Sequence, residues 1–321
     1  MRERYLVTGA NGDIGEAIGR ILRETYPDAR IEGADAAGVW PGASVFDVVH
    51  QLPRADQSNY VEELVRLGKA GFDAIFPTSE PEISRLVRDI GEIGDLPVIL
   101  SRSEIVATFL DKLETANWLR SHNFNPPVTK RLADADGSDL PLILKPRRGA
   151  GGRGQEIVRS LARLDVARME RPADTVAQQL LDVEDREYTC ALLSYGRDTR
   201  FIMMRRTLAG DRTSKATVEN LPEVCKLLDN LAAAARPEGP LNVQLRLMPE
   251  GPKIFEINPR FSSTVMMRHR LGFCDVVWSL ERRKGKALPD FVPPVNAIAY
   301  RLAREVVVFA EPGGNTFDRK R

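Results

Sequence analysis

Polar side chains recur at alternate positions through much of Leu241 to Thr264, LNVQLRLMPEGPKIFEINPRFSST, inside what otherwise reads as a pair of buried strands. In the first strand Asn242, Gln244 and Arg246 alternate with Leu241, Val243, Leu245 and Leu247; in the second, Glu256 and Asn258 flank Ile257. Successive strand side chains point to opposite faces, so each polar set shares one face. With the turn Met248 to Pro252 in its simplest register, Leu247 pairs with Lys253 and Gln244 lies opposite Glu256. The Gln244 amide oxygen, the Glu256 carboxylate and the Asn258 amide oxygen then converge, with Arg260 just beyond. Oxygen ligands of this kind suit Mg²⁺, which takes one or two protein carboxylates and fills its octahedron with water and substrate phosphates.

A second set of residues suits the phosphates themselves. The apolar run LPLILK ends in Lys145 and leads into Pro146-Arg147-Arg148-Gly149-Ala150-Gly151-Gly152-Arg153-Gly154, after which Glu156 to Val158 reads as a strand. A glycine-rich loop between two strands, without a Gly-Lys-Ser/Thr ending, is not a Walker A loop. Its backbone N–H groups can still fold over phosphates, because glycine lets the chain approach a ligand closely. Lys145 supplies a point charge for the same anions. The strand Thr175 to Leu181 (TVAQQLL) brings backbone groups that suit an adenine edge, and the acidic run Asp182 to Glu187 follows it.

The elements that carry these residues fall into three stretches. Residues 4–8 read as a strand, Gly9 to Gly15 as a tight turn, about 13–25 as a helix, and 30–34 as a strand ending in Asp35. Further strands at 73–77 and 97–100 alternate with helical patterns, which argues for a mostly parallel sheet with its ligand crevice beyond the strands' carboxyl ends, where Ser79 and Glu80 fall. Gly9, Gly12, Gly15 and Asp35 also fit a dinucleotide-binding turn, so an NAD(P)-dependent oxidoreductase or epimerase is an alternative. Against it, none of the six tyrosines has a lysine four residues later, the catalytic pair expected with such a turn. Helical segments follow around Ser101 to Ser121, with Asp111 as N-cap. Asn125-Pro126-Pro127 breaks the chain before the glycine-loop unit. Residues 186–195 and 199–208 read as a hairpin, 209–217 as a polar stretch, 222–235 and 273–283 as helices, and 297–303 as a closing strand.

A net formal charge of +1 and a charged fraction of 28% give no global attraction to nucleic acid or to a membrane surface, so neither is expected as a partner. No apolar run approaches the ~20 residues of a bilayer span, and the cytosol is the expected location. Cys190, Cys225 and Cys274 are too widely spaced for a disulfide framework or a CxxC site and read as core residues. His50, His122 and His269 share no metal-ligand spacing.

In this order, Asp111-Lys112, Lys145-Pro146 before the glycine loop, Gln178-Gln179-Leu180-Leu181, Glu187-Tyr188-Thr189, Asn242-Val243-Gln244 and Glu256-Ile257-Asn258-Pro259-Arg260 resemble the ATP-grasp superfamily. The resemblance is to a single synthetase module of the carbamoyl-phosphate synthetase large chain. It implies an α/β and α+β fold: an N-terminal Rossmann-like pre-ATP-grasp domain over 1–100, a helical connection over 101–125, and a two-subdomain ATP-grasp fold. The latter divides into a lid at 126–181 and a metal-bearing C-terminal subdomain at 182–310, before a mobile tail at 311–321. It further implies that Lys112 and Lys145 contact ATP phosphates beneath Gly149, Gly151, Gly152 and Gly154. Gln178 and Leu180 would offer backbone groups to adenine, and Asp185 or Glu187 would face ribose. Gln244, Glu256 and Asn258 would hold Mg²⁺, as one ion or two and with Mn²⁺ as a substitute, and Arg260 would stabilise the transferring phosphoryl group.

The activity so implied is ATP-dependent carboxylate–amine ligation through an acyl phosphate, releasing ADP and phosphate, by a biosynthetic enzyme that acts on small molecules and pairs as a homodimer. Ser79, Glu80, Arg205 and Arg268 are the candidate substrate contacts. A catalytically silent ATP-binding regulator is the other alternative.

Overall fold

The computed structural model describes residues 2–38, 41–149, 151–183 and 186–302. The first unit runs β1 (Arg4–Thr8), α1 (Asp13–Thr25), β2 (Arg30–Asp35), β3 (Val48–Gln51), α2 (Tyr60–Gly68), β4 (Ala74–Phe76), α3 (Glu80–Arg88) and α4 (Ile90–Ile93). Its four strands form a parallel sheet in the order β3-β2-β1-β4. Val98 adds only a single bridge to Ile75, so the strand expected at 97–100 is reduced to that contact. Because helices cover both faces, β1 is apolar on both: Tyr5 and Val7 pack in the core beneath α1, and Leu6 packs beneath α2. Helix α1 buries Ile14, Ala17, Ile18, Ile21 and Leu22, the helical spacing, and each fully buried aliphatic side chain contributes about 1.5–3 kcal/mol. A Cβ on Gly15 would stand 2.6 Å from the Gly9 carbonyl oxygen and 2.7 Å from Ala10 Cα. That glycine is required for α1 to spring directly from the turn.

Helices α5 (Ser103–Phe109) and α6 (Lys112–Ser121) lead to the second unit. Asp111 caps α6, its Oδ1 accepting from the N–H groups of Leu113 and Glu114 at 3.1 and 3.2 Å. The second unit comprises β5 (Thr129–Arg131), β6 (Leu142–Pro146), β7 (Glu156–Val158), α7 (Leu161–Glu170) and β8 (Thr175–Gln179), with sheet order β5-β8-β6-β7. The glycine loop therefore links adjacent antiparallel strands.

The third unit contains β9 (Glu187–Tyr195), β10 (Asp198–Ala209), β11 (Arg212–Glu219), α8 (Pro222–Ala235), β12 (Glu238–Met248), β13 (Gly251–Asn258), α9 (Val265–Arg270), α10 (Asp275–Arg283) and β14 (Ile298–Tyr300). Its antiparallel sheet has the order β13-β12-β9-β10-β11-β14. Val224, Leu228 and Leu231 of α8 pack on Leu241, Val243 and Leu245 of β12. The first unit docks on this one through α1, whose core includes Phe261, Val265, Val276 and Leu280. The polar stretch at 209–217 proves to be a hairpin turn and most of the strand β11, whose buried positions there, Thr213 and Ala216, are small or polar and carry no apolar alternation. The helix expected at 273–283 begins at Asp275. The tail at 311–321 lies outside the described residues. Cys190 is buried as expected, whereas Cys225 and Cys274 are only half-buried.

The register of β12 with β13 departs from the simplest one. Gln244 does lie opposite Glu256, but Leu245 pairs with Ile254, Arg246 with Lys253 and Leu247 with Pro252. Phe255 is an extra residue in β13, a bulge that resets the alternation of faces. Ile254 and Ile257, three residues apart, consequently share the core beneath α8, while Phe255, Glu256 and Asn258 all reach the opposite side.

Candidate active site

A cleft of about 1510 Å³ opens where the three units meet. The carboxyl end of the parallel sheet contributes Asn11 to Ile14 and Thr78 to Pro81. The second unit contributes Lys145, Gly149, Gly151, Gly152 and Gln178 to Leu181, and the third unit forms the floor.

Lys145, near the end of the apolar strand β6, is buried, as is Gln178 two residues beyond its partner Val176 on β8. The Lys145 ammonium donates to Gln178 Oε1 at 2.8 Å and lies 5.1 Å from the centroid of the Phe255 ring. Burial pushes the Lys145 pKa down to about 8, an effect that Glu256 opposes and Lys112 reinforces. Gln178 Nε2 donates in turn to Thr129 Oγ1 at 3.1 Å and to the Phe255 carbonyl at 3.3 Å, tying the second unit to the bulge of β13. Gln178 thus acts here through its side chain, since its backbone sits inside the ladder between Thr129 and Ile143. The Leu180 N–H is taken by the Pro141 carbonyl at 3.1 Å and is not free for a base, although Leu180 lines the cleft.

On the floor, Glu256 Oε1 accepts from Asn258 Nδ2 at 3.2 Å, and Gln244 stands directly across the strand pair. Among the described residues no three acidic, histidine or cysteine side chains are placed to share a metal. The single carboxylate of Glu256, with the neighbouring Asn258 amide, fits one Mg²⁺ that completes its shell from phosphates and water. Gln244 fits less well, because its Oε1 accepts from Arg206 Nη2 at 2.9 Å. Arg260 lines the same cleft, and among the described residues its side chain's one hydrogen bond is to the Phe261 carbonyl, at 2.9 Å. Burial lowers its pKa, against the pull of Glu80, Glu256 and Asp13; an arginine stays charged regardless.

Glu187 faces the cleft, yet both of its oxygens are occupied. Oε1 accepts from Arg206 Nε and Nη2 at 2.9 and 2.6 Å, and Oε2 from Arg246 Nε and Nη2 at 3.0 and 2.7 Å. Burial alone would raise the Glu187 pKa, but the two guanidiniums hold it below the usual carboxylate range. Glu184 and Asp185 lie outside the described residues.

The glycine loop is held by its first glycine. Gly149 donates its N–H to Glu80 Oε1 at 2.6 Å and accepts from Lys112 Nζ at 2.5 Å. Lys112 thus supports the loop; it does not line the large cleft but stands in a small recess beside it with Glu80, Phe255, Glu256 and Asn258. Gly154 also falls outside the lining, where a Cβ would meet Pro146 at 3.2 Å. Ser79 and Glu80 both line the cleft.

Two expected substrate contacts are elsewhere. Arg268 is buried, donating to Asp275 Oδ2 at 2.9 and 2.7 Å and to Ser262 Oγ at 2.8 Å. Arg205 pairs with Glu219 at 2.5 Å, away from the cleft, because strand alternation turns its neighbour Arg206 inward instead. Arg246 and Phe255 were given no role from the sequence. Arg246 shares the alternating face of Gln244 and was legible there, whereas the choice between Arg205 and Arg206 needs the register of β10. Asp35 accepts from Asn11 N–H at 2.9 Å and Ala37 N–H at 3.0 Å, so the glycine turn and its acid are used in closing the turn itself.

Three units around one cleft, with a lysine-bearing antiparallel sheet facing a floor that carries Glu256 and Asn258, make up the ATP-grasp fold. More narrowly, residues 174–306 match the family model described as ATP-grasp in the biosynthetic pathway with Ter operon. Among solved structures, N5-carboxyaminoimidazole synthetase from Staphylococcus aureus complexed with ADP is similar at a TM-score of 0.72 and 14% identity, over 94% of this chain and 81% of that one. The L-amino acid ligase from Bacillus licheniformis is similar at a TM-score of 0.68 and 16% identity, over 88% and 74%. Biotin carboxylase from Campylobacter jejuni is similar at 0.70 and 15%, over 89% and 72%. An uncharacterized Mycoplasma pneumoniae protein, the MG011 homolog, is 26% identical over 113 residues, 35% of this chain and 39% of that relative. The matched segment thus spans well under half of that curated relative. Among the described residues no helix is long and apolar enough to cross a membrane.

Proposed function

We propose that the protein is an ATP-dependent carboxylate–amine ligase. The γ-phosphoryl group of ATP passes to a carboxylate oxygen, giving an acyl phosphate and ADP; an amine nitrogen then attacks the acyl carbon, loses a proton, and expels phosphate. The observation that carries the reading is the convergence, in one cleft, of Glu256 with two cations, Lys145 and Arg260, that have no carboxylate ion-pair partner among the described residues. Phosphoryl transfer asks a protein for alignment and charge neutralisation more than for covalent chemistry.

Glu256 and Asn258 would hold a Mg²⁺, or Mn²⁺ in its place, which when bound would supply that neutralisation on phosphate oxygens. Lys145, fixed by Gln178, presents its ammonium to the nucleotide phosphates. The half-buried Arg260 guanidinium offers donors to the phosphoryl group in transit. The loop from Gly149 to Gly154, latched by Glu80 and Lys112, serves as the lid of a mobile unit at 126–181 and keeps water from the acyl phosphate. The relatives add support: an amino acid ligase and a carboxyaminoimidazole synthetase share the fold, and the matched family model is described as biosynthetic.

The test is an ADP-release screen over paired carboxylates and amines. ADP formation that needs both partners is expected. AMP and pyrophosphate as products, or ATP turnover indifferent to the amine, would refute the mechanism.

A further inference from the structure

We propose that Arg206 supplies a fixed positive charge on the Gln244 side of the cleft floor, so that Gln244 is not a metal ligand and the site holds a single divalent cation on Glu256 and Asn258. The inference rests on the nucleotide-binding reading above and sharpens its metal stoichiometry.

The Gln244 side chain has one oxygen, and Arg206 Nη2 lies on it at 2.9 Å. That arginine is not a loose surface group. Its side chain is 12% exposed, and Nε and Nη2 both bind Glu187 Oε1. Glu187 is in turn gripped through its other oxygen by Arg246. To give Gln244 to a metal, Arg206 would have to leave both the amide and its carboxylate, and a dication on Gln244 would then sit beside a guanidinium.

The charges point the same way. One carboxylate, Glu187, serves two guanidiniums, so the cluster keeps one net positive charge inside a cleft built for anions. Arg206 Nη1 has no hydrogen-bond partner among the described residues and is the donor left for a phosphate or ribose oxygen. A second metal would add two more charges here without a second carboxylate, whereas Mg²⁺ sites ordinarily carry one or two carboxylates per ion. A bound cation is thus replaced by a tethered one.

Mn²⁺ binding to the full chain with saturating ADP, read by electron paramagnetic resonance of free Mn²⁺, tests this without any turnover. One Mn²⁺ per bound nucleotide is expected. Gln244→Leu should leave that stoichiometry unchanged and the Mn²⁺ Kd within twofold, while Arg206→Leu should weaken ADP binding at saturating Mn²⁺ by about tenfold or more, with partial recovery in Arg206→Lys. Should Gln244→Leu not fold, Gln244→Glu serves: its carboxylate is expected to pair with Arg206 and to leave one Mn²⁺. Two Mn²⁺ per chain in the wild type or in Gln244→Glu, a tenfold loss of Mn²⁺ affinity in folded Gln244→Leu, or unchanged ADP affinity in Arg206→Leu would each overturn the proposal and leave the nucleotide reading standing. No ADP binding at all would overturn both.

Discussion

Replacing Lys145 with methionine should stabilise the ligand-free protein at neutral pH, and the gain should shrink in alkali. The pKa of this buried ammonium falls to about 8 from 10.5, chiefly through desolvation. Because the folded-state value lies below the unfolded one, the folded chain binds fewer protons between these two pH values. The penalty is therefore full below about pH 8 and fades as pH rises toward 10.5. At 1.36 kcal/mol per pKa unit, it amounts to about 3.4 kcal/mol near pH 7 and about 1.4 kcal/mol at pH 9.5. Methionine fills similar space but leaves Gln178 Oε1 without its 2.8 Å donor, a cost of about 1–3 kcal/mol. That cost is nearly independent of pH, so it sets the offset between the two proteins and drops out of the slope. Urea unfolding of both proteins without nucleotide, from about pH 7 to about pH 9.5, should show the stability difference falling by about 2 kcal/mol. Parallel pH curves would mean that Lys145 is not held in a desolvating site, and the account of the phosphate lysine would fail.

The same titration predicts that ADP affinity is flat below about pH 8 and falls about tenfold per pH unit above it, because the anion favours the charged lysine; calorimetric titration across pH checks this. Glu256→Gln and Arg260→Ala should each lower turnover by about 10²–10³ or more with circular dichroism unchanged, and near-normal ADP release from either folded variant would contradict their placement. Arg268→Ala should cost about 3–5 kcal/mol by leaving Asp275 buried and unpaired, seen as a lowered urea midpoint, whereas Arg205→Ala should leave the KM of the acid unchanged. Gly15→Ala should destabilise by about 1–3 kcal/mol, because its Cβ meets backbone atoms, while ADP affinity of the folded fraction stays the same.

The residues that sequence reading placed well and those it misplaced differ in a physical way. Strand alternation encodes which face a side chain takes, and it located Gln244, Glu256 and Asn258 on one face because Leu241, Val243, Leu245 and Leu247 alternate cleanly in β12 and Ile257 separates Glu256 from Asn258 in β13. It could not register the bulge at Phe255, where β13 itself changes parity, nor choose between Arg205 and Arg206, adjacent residues whose faces depend on the register of β10. Lys112 was placed on the phosphates by the resemblance of its motif, and Arg268 was read as a contact for an anionic acid because it follows Arg260 closely in sequence. The groups that claim them, the Gly149 carbonyl 37 residues away and Asp275 on the next helix, become neighbours only through folding. Three cations around this site are held by neutral groups, Lys112 by the Gly149 carbonyl, Lys145 by an amide and Arg260 by a carbonyl, and the last two line the cleft. Arg206 joins them by a different route, since Glu187 must neutralise Arg246 as well and cannot cancel both. Uncompensated positive charge, more than the mere presence of lysine and arginine, marks the part of this cleft that would receive a polyphosphate in the proposed reaction.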